Sequence, residues 1–134
     1  ARRLAALLVR ERLLTQSQAG QLLRGKFRGF FLSDKYKLLD LIGVGGMGKV
    51  FLCEHLMLHR LVAVKVLVSH GDGAPATGAV QRFYREARAV AALDSPHVVK
   101  VHDVDAARGQ PFMVMEYVDG ADLHKITTAV GRLP

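Results

Sequence analysis

Four glycines lie within six residues in the stretch Leu41-Ile42-Gly43-Val44-Gly45-Gly46-Met47-Gly48-Lys49-Val50-Phe51-Leu52, and apolar residues typical of β-strands stand on both sides. Because glycine has no Cβ, its backbone can adopt positive φ and come close to a ligand. Consecutive backbone N–H groups in such a loop can point at one anion, usually a phosphate. The stretch therefore predicts a phosphate-binding loop, and a glycine-rich hairpin without a ligand is the alternative.

The residues beside the loop distinguish three phosphate-binding patterns. Residues 43–49 fit G-x-x-x-x-G-K, but that pattern continues with Ser or Thr and a helix, whereas Val50 begins a strand-like run. A dinucleotide-binding turn needs a helix after its last glycine and an acidic residue about 20 positions on. Residues 62–68 indicate a strand there instead. The third pattern, G-x-G-x-x-G-x-V, covers nucleotide phosphates with a β-hairpin and agrees with both flanks.

Three later segments support the third pattern. The run Val62-Ala63-Val64-Lys65 matches the strand signature V-A-I-K, with Val in place of Ile. A lysine inside an apolar strand is costly to bury without a partner, and Glu86, in a helix predicted over 79–93, can supply that partner. A lysine that reaches solvent from an edge strand is the alternative. Residues 112–120 predict an apolar strand that runs into a polar turn.

These segments, in this order and spacing, resemble the N-terminal lobe of a eukaryotic-like (Hanks-type) protein kinase. The Gly-Gly-Met-Gly loop is most similar to the bacterial serine/threonine branch. The resemblance covers roughly 36–134 and implies an α+β fold, with a five-stranded antiparallel sheet and one regulatory helix. We divide the chain into a helical extension over 1–28, a linker over 29–35 and the lobe over 36–134.

The resemblance implies that the cofactors are ATP, which this lobe would bind, and Mg²⁺. Lys65 would hold the α- and β-phosphates, and Glu86 would orient Lys65 through an ion pair. The phosphates would be covered by Ile42, Gly43, Val44, Gly45, Gly46, Met47 and Gly48. Around the nucleoside, the resemblance implies adenine packing by Val50 and Ala63, a gatekeeper at Met115, backbone contacts from Glu116 and Val118, and a ribose contact from Asp122. Val90 and Val101 match an apolar spine.

Several of these residues have simpler explanations. The apolar ones would lie in the core of any sheet, and Asp122 is an acid at the start of a helix, where the helix dipole favours it. Lys65, Glu86 and the glycines are harder to explain by packing alone.

The family's H-R-D-x-x-x-x-N and D-F-G motifs do not occur in these 134 residues. We therefore expect no metal ligand and no catalytic base in this chain, and we expect the chain to be part of a longer kinase and inactive by itself. The expected reaction of the whole protein is phosphoryl transfer to protein Ser/Thr hydroxyls. The alternatives are a pseudokinase or scaffold, and a protein in which the N-terminal helices do the work.

The N-terminal segment carries the positive charge. Residues 1–37 hold nine Lys/Arg and two acids, a net charge of +7, and residues 38–134 are neutral. Apolar spacing predicts a helix over 2–14. A capping box at Thr15 and Gln18 starts a second helix that ends near Gly25. This hairpin is either a packing element or a docking and dimerising module. We expect a homodimer, formed through these helices or through apolar lobe surface exposed where the second lobe is absent, and we expect no nucleic-acid binding.

The remaining pattern completes the expected fold. Strands are predicted over 36–43, 50–55, 61–68, 98–104 and 112–117, a turn over 105–111 and a last helix over 122–130. A mobile loop is predicted over 69–78. In the helix over 79–93, Val80, Phe83, Ala87, Val90 and Ala91 should face the core. A single cysteine and no apolar run of about 18 residues indicate a cytoplasmic location, with any membrane anchor elsewhere in the protein.

Overall fold

The computed structural model describes residues 1–26, 29–68 and 77–131. Within them lie helices α1 (Arg2–Arg10), α2 (Gln16–Leu23), α3 (Thr77–Ala91) and α4 (Leu123–Val130). The strands are β1 (Tyr36–Gly45), β2 (Gly48–His55), β3 (Arg60–Leu67), β4 (Val101–Ala107) and β5 (Gln110–Glu116). The expected α+β fold with a five-stranded antiparallel sheet is therefore confirmed. The predicted loop over 69–78 lies mostly outside the described residues.

The sheet has the strand order β1-β2-β3-β5-β4, and every neighbouring pair is antiparallel. Strand β3 is central and is covered on both faces, because its residues from Val62 to Leu67 are buried or half-buried. One face carries a core built around Val64, Val66 and Phe112. The other face carries Leu67 and Met113, which pack against Phe83 and Ala87 of α3. The two faces thus have separate cores that share β3.

Helix α3 confirms most of the predicted apolar face. Phe83 and Ala87 are fully buried, and Val80 and Val90 are half-buried. Ala91 is exposed, so its predicted core position is wrong. Ala91 is the last residue of α3, and Ala92 and Leu93 after it are also exposed, so this end of the helix extends past the core.

Three predicted boundaries are wrong, and for two of them the backbone gives a local reason. Helix α1 ends at Arg10 rather than at 14, because Arg12 adopts a left-handed φ of 59° and Leu13 N–H bonds to the Leu8 carbonyl, as in a Schellman motif. Strand β4 begins at Val101 rather than at 98. The predicted turn over 105–111 shrinks to Arg108-Gly109, whose φ values of 53° and 75° suit a two-residue hairpin turn.

The N-terminal hairpin has its predicted capping box and also contacts the sheet. Thr15 Oγ1 accepts from Gln18 N–H at 3.1 Å, and Gln18 Oε1 accepts from Thr15 N–H at 3.0 Å. The same two side chains bond to β1: the Thr15 hydroxyl donates to the Leu39 carbonyl at 2.7 Å, and Gln18 Nε2 donates to the Leu38 carbonyl at 2.8 Å. Helix α2 therefore covers the outer edge of an edge strand.

The buried thiol of Cys53 makes stability depend on pH. Burial raises its pKa from 9.0 to about 12, so the folded state keeps a proton that the unfolded state loses. That stabilisation is complete below the unfolded pKa and is lost as pH rises towards the folded pKa. Between about pH 8 and about pH 10, the free energy of unfolding should fall by about 1.4 kcal/mol more in the wild type than in Cys53→Ala.

Urea unfolding of both proteins at the two pH values measures this difference. The comparison cancels the titration of groups that the two proteins share. An equal fall in both proteins would show that Cys53 stays protonated in the unfolded chain or ionises freely in the fold.

Candidate functional site

The glycine-rich loop joins β1 to β2 as a tight hairpin. Gly45 pairs with Gly48, and Gly46-Met47 forms the turn. Gly48 has a φ of 153°, and a Cβ there would overlap the carbonyl oxygen of Val66 on β3. The fold itself therefore requires glycine at position 48, because β3 passes too close for any side chain.

The other loop glycines have no such structural reason. A Cβ at Gly45 or Gly46 would meet nothing within 4 Å, and neither residue has a left-handed φ. At Gly43 an added Cβ would make ordinary contact with Val50 at 3.5 Å. The neighbouring Val44 is 71% exposed. A side chain would fit at these positions, yet the sequence has glycine there. This is consistent with a ligand that approaches the backbone closely.

Lys65 and Glu86 form the ion pair that the sequence predicts. Lys65 Nζ donates to Glu86 Oε2 at 3.3 Å, and the two side chains are 23% and 38% exposed. In the sheet, Lys65 lies opposite Val50 of β2 and Met113 of β5. The alternative of an edge-strand lysine is therefore wrong, because β3 is flanked on both sides.

The loop and the lysine border one cleft of about 430 Å³. Its lining consists entirely of residues that the sequence predicted: Gly43, Val44, Gly45, Gly46, Met47, Gly48, Val50, Lys65 and Met115. A larger cavity of about 630 Å³ lies on the opposite face of the sheet, beside Phe51 and Val66. The glycine backbone and the Lys65–Glu86 pair belong to the smaller cleft, so chemistry rather than volume identifies the candidate site.

The remaining predicted residues do not line this cleft. Ala63 is buried on β3 opposite Met115, and Ile42 is exposed on β1. Glu116 ends β5, where its N–H donates to the Lys100 carbonyl at 2.8 Å. Val118 is exposed just beyond.

Asp122 has a structural role in addition to its predicted ribose contact. It is the N-cap of α4 and accepts from Lys125 N–H at 2.7 Å. This observation supports the simpler explanation from the sequence, and the ribose contact stays a prediction. Among the spine residues, Val101 packs on the core beside α3.

Sequence reasoning missed two features near the site. Strand β1 has register irregularities at Leu39 and Ile42, on the way to the glycine loop. Thr15 and Gln18 bond to the strand at the first of them. The capping-box signal identified both residues but indicated only bonds inside the hairpin.

Neither a metal centre nor a membrane span lies within the described residues. They contain no group of three or more His, Cys, Asp or Glu side chains placed to hold a metal ion. In the same part of the chain, no helix has the length and apolar character needed to cross a membrane.

Comparisons with known proteins agree with the geometry. Residues 36–134 match the family model described as protein kinase domain. Serine/threonine-protein kinase PknB of Mycobacterium leprae is 46% identical over 107 residues, which are 77% of this chain and 17% of PknB. Serine/threonine-protein kinase PrkC of Bacillus subtilis is 39% identical over 102 residues, which are 76% of this chain and 15% of PrkC. The chain thus spans a small part of the length of these curated relatives.

Solved structures give the same result. The crystal structure of the M. tuberculosis PknI kinase domain aligns with a TM-score of 0.60 and 30% identity, over 78% of this chain and 41% of that one. The shared fold therefore extends over most of the chain.

Alanine substitutions at the loop glycines should differ in their effect on stability, according to whether the fold requires glycine at that position. Gly48→Ala should lower the free energy of unfolding by about 1–3 kcal/mol, because the new methyl group overlaps the backbone of β3. Gly45→Ala is the matched control and should stay within about 0.5 kcal/mol of the wild type. Chemical denaturation of the three proteins measures both values. Equal stability of the two variants would contradict the overlap at Val66.

Proposed function

This chain belongs to the protein kinase domain family, and from that premise we propose that it is the ATP-binding part of a serine/threonine protein kinase. The whole protein would transfer the γ-phosphoryl group of ATP to Ser or Thr hydroxyls of protein substrates. The observation that carries the proposal is the Lys65–Glu86 ion pair, 3.3 Å long, whose lysine lines one cleft with the glycine loop. The serine/threonine names of the relatives support the choice of acceptor.

The phosphate side of the cleft fits a polyanion. Lys65 offers a cation for the α- and β-phosphates, and Glu86 holds its side chain in place. The backbone N–H groups of the loop offer further donors without side chains in the way. Kinase catalysis depends mostly on positioning and charge neutralisation, so these groups would contribute binding and orientation.

The apolar side of the cleft fits a nucleoside. Val50 and Met115 line it and Ala63 lies opposite Met115, so adenine would pack among these three. Because the N–H of Glu116 already bonds to Lys100, its carbonyl is the group that we propose for the adenine edge, together with the backbone of Val118. Asp122 would contact the ribose.

Transfer itself requires groups that these 134 residues lack. Neither the catalytic-loop motif nor D-F-G occurs in the chain, so we propose that the base and the Mg²⁺ ligands come from the rest of the protein and that this chain alone is inactive. Mg²⁺ would neutralise phosphate charge in the assembled site. A scaffold would have no need for glycines at positions 45 and 46, where the fold accepts side chains, and this favours the enzyme.

Location and partners follow from the same proposal. A kinase that uses cellular ATP and keeps a free cysteine fits the cytoplasm. Exposed leucines on the N-terminal hairpin, Leu4, Leu7 and Leu13, could support a homodimer. The net charge of +7 in residues 1–37 opposes the close approach of two such hairpins.

The ion pair gives a direct test in the full-length protein. Lys65→Met should lower kcat/KM for Mg-ATP by about 100-fold or more, since a donor to the reacting phosphates is lost. Glu86→Gln keeps a hydrogen-bond acceptor and should cause a smaller loss. Phosphate transfer to a generic protein acceptor measures both effects.

Lys49→Met is the matched control, because Lys49 is an exposed lysine on β2 that lines the opposite cavity. It should keep wild-type kcat/KM. Wild-type kinetics in Lys65→Met, or an equal loss in Lys49→Met, would refute the assignment.

A further inference from the structure

The contact between α2 and β1 lies at an irregular point of the strand. In the β1–β2 register, Leu38 pairs with Cys53 and Asp40 pairs with Leu52, so Leu39 is an extra residue without a partner. Its carbonyl accepts the Thr15 hydroxyl, and the adjacent Leu38 carbonyl accepts Gln18 Nε2. A bulge bends its strand and often re-aims the residues beyond the bend. The hairpin thus holds β1 at its bend.

Each side chain makes one bond inside the hairpin and one bond to β1. Gln18 is 3% exposed, and it is the one buried polar side chain among the described residues. Its amide oxygen accepts from Thr15 N–H, and its amide nitrogen donates to the Leu38 carbonyl. The Thr15 hydroxyl likewise accepts from Gln18 N–H and donates to Leu39. Truncation of either side chain would therefore remove a bond inside the hairpin and a bond to the strand at once.

Strand β1 forms the half of the glycine hairpin that lies at the edge of the sheet. Strand β2 pairs with β3 in unbroken register from Gly48 to His55, so the second half of the hairpin is fixed to the centre of the sheet. Strand β1 has one neighbouring strand and a second irregularity at Ile42, directly before Gly43. From Leu39 to Gly43 an extended strand covers about 13 Å. Any shift of the bulge would therefore be carried into the loop.

We propose that Thr15 and Gln18 are positioning residues for the nucleotide: by bonding to Leu39 and Leu38 they fix the β1 bulge and hold the glycine loop over the cleft. This inference rests on the proposed function, because it assigns a purpose to the loop's position. It makes the N-terminal hairpin a working part of the ATP site, although no hairpin residue lines the cleft. A ligand or modification that moved α2 would change ATP affinity.

Two substitutions remove the bonds to β1 and keep those inside the hairpin. Thr15→Asp keeps an oxygen acceptor for the helix cap but has no donor for Leu39. Gln18→Glu keeps the capping-box acceptor but has no donor for Leu38. In the full-length kinase each should raise KM for Mg-ATP about fivefold or more, at temperatures well below melting and with a smaller change in kcat.

Two controls match these changes. Gln16→Glu makes the same amide-to-carboxylate change on an exposed residue of α2 and should keep the wild-type KM. Thr15→Ser keeps both functions of the hydroxyl and should also keep it. Hydrogen–deuterium exchange of amides 41–50 in the 134-residue chain should be faster in Thr15→Asp and Gln18→Glu than in either control.

The outcomes distinguish the inference from the function on which it rests. If Thr15→Asp and Gln18→Glu melt at lower temperature but keep the wild-type KM and loop exchange, the contact is only structural and the inference is overturned. An equal rise of KM in Gln16→Glu also overturns it. If the wild type shows no dependence on Lys65, the proposed function fails, and the exchange data still decide whether the hairpin controls the loop. Since the two substitutions lie at different residues, misfolding of one leaves the other to decide.

Discussion

The need to partner a lysine on the central strand organises this structure. Lys65 lies between two hydrogen-bonded neighbours and is mostly shielded from solvent. A charge in that position is costly unless an opposite charge meets it. Helix α3 supplies both the carboxylate and the packing: Glu86 follows Phe83 by three residues, so both lie on one side of the helix. The contact that buries Phe83 against the sheet therefore also delivers Glu86 to Lys65.

The glycine loop shows how fold and function constrain neighbouring positions differently. Gly48 is required by the fold, because β3 leaves no room for a Cβ. Gly45 and Gly46 have that room, so packing does not require glycine there, whereas the close approach of the proposed nucleotide would favour it. Sequence alone presents four equivalent glycines. The structure separates the one that builds the hairpin from those that leave its outer surface open.

The main elements were predictable because local signals are strong there, and the lining of the cleft was predictable from the resemblance to the kinase family. Apolar strands, the capping box and the order of the motifs led to the sheet, the hairpin and the Lys65–Glu86 pair. The errors occur where a single backbone conformation decides the outcome. Arg12 ends α1 in a left-handed conformation that usually belongs to glycine, so no residue signalled the end. An extra residue in a strand, as at Leu39, leaves no mark in a pattern of alternating side chains.

The proposed division of the chain at residue 36 agrees with the start of the family match but not with the hydrogen bonding. The family match begins there, yet hydrogen bonds cross the boundary: Leu38 N–H bonds to Phe30, Leu32 N–H bonds to Tyr36, and Thr15 and Gln18 bond to β1. Bonds to particular strand carbonyls require the preceding segment to lie in a fixed register along β1. A flexible linker would not need such a register. An edge strand presents unpaired backbone groups that must be covered or left open to pairing with other chains. In this protein the hairpin, through Thr15 and Gln18, and the segment that holds Phe30 and Leu32 cover that edge, so residues outside the family match support the strand that leads to the glycine loop.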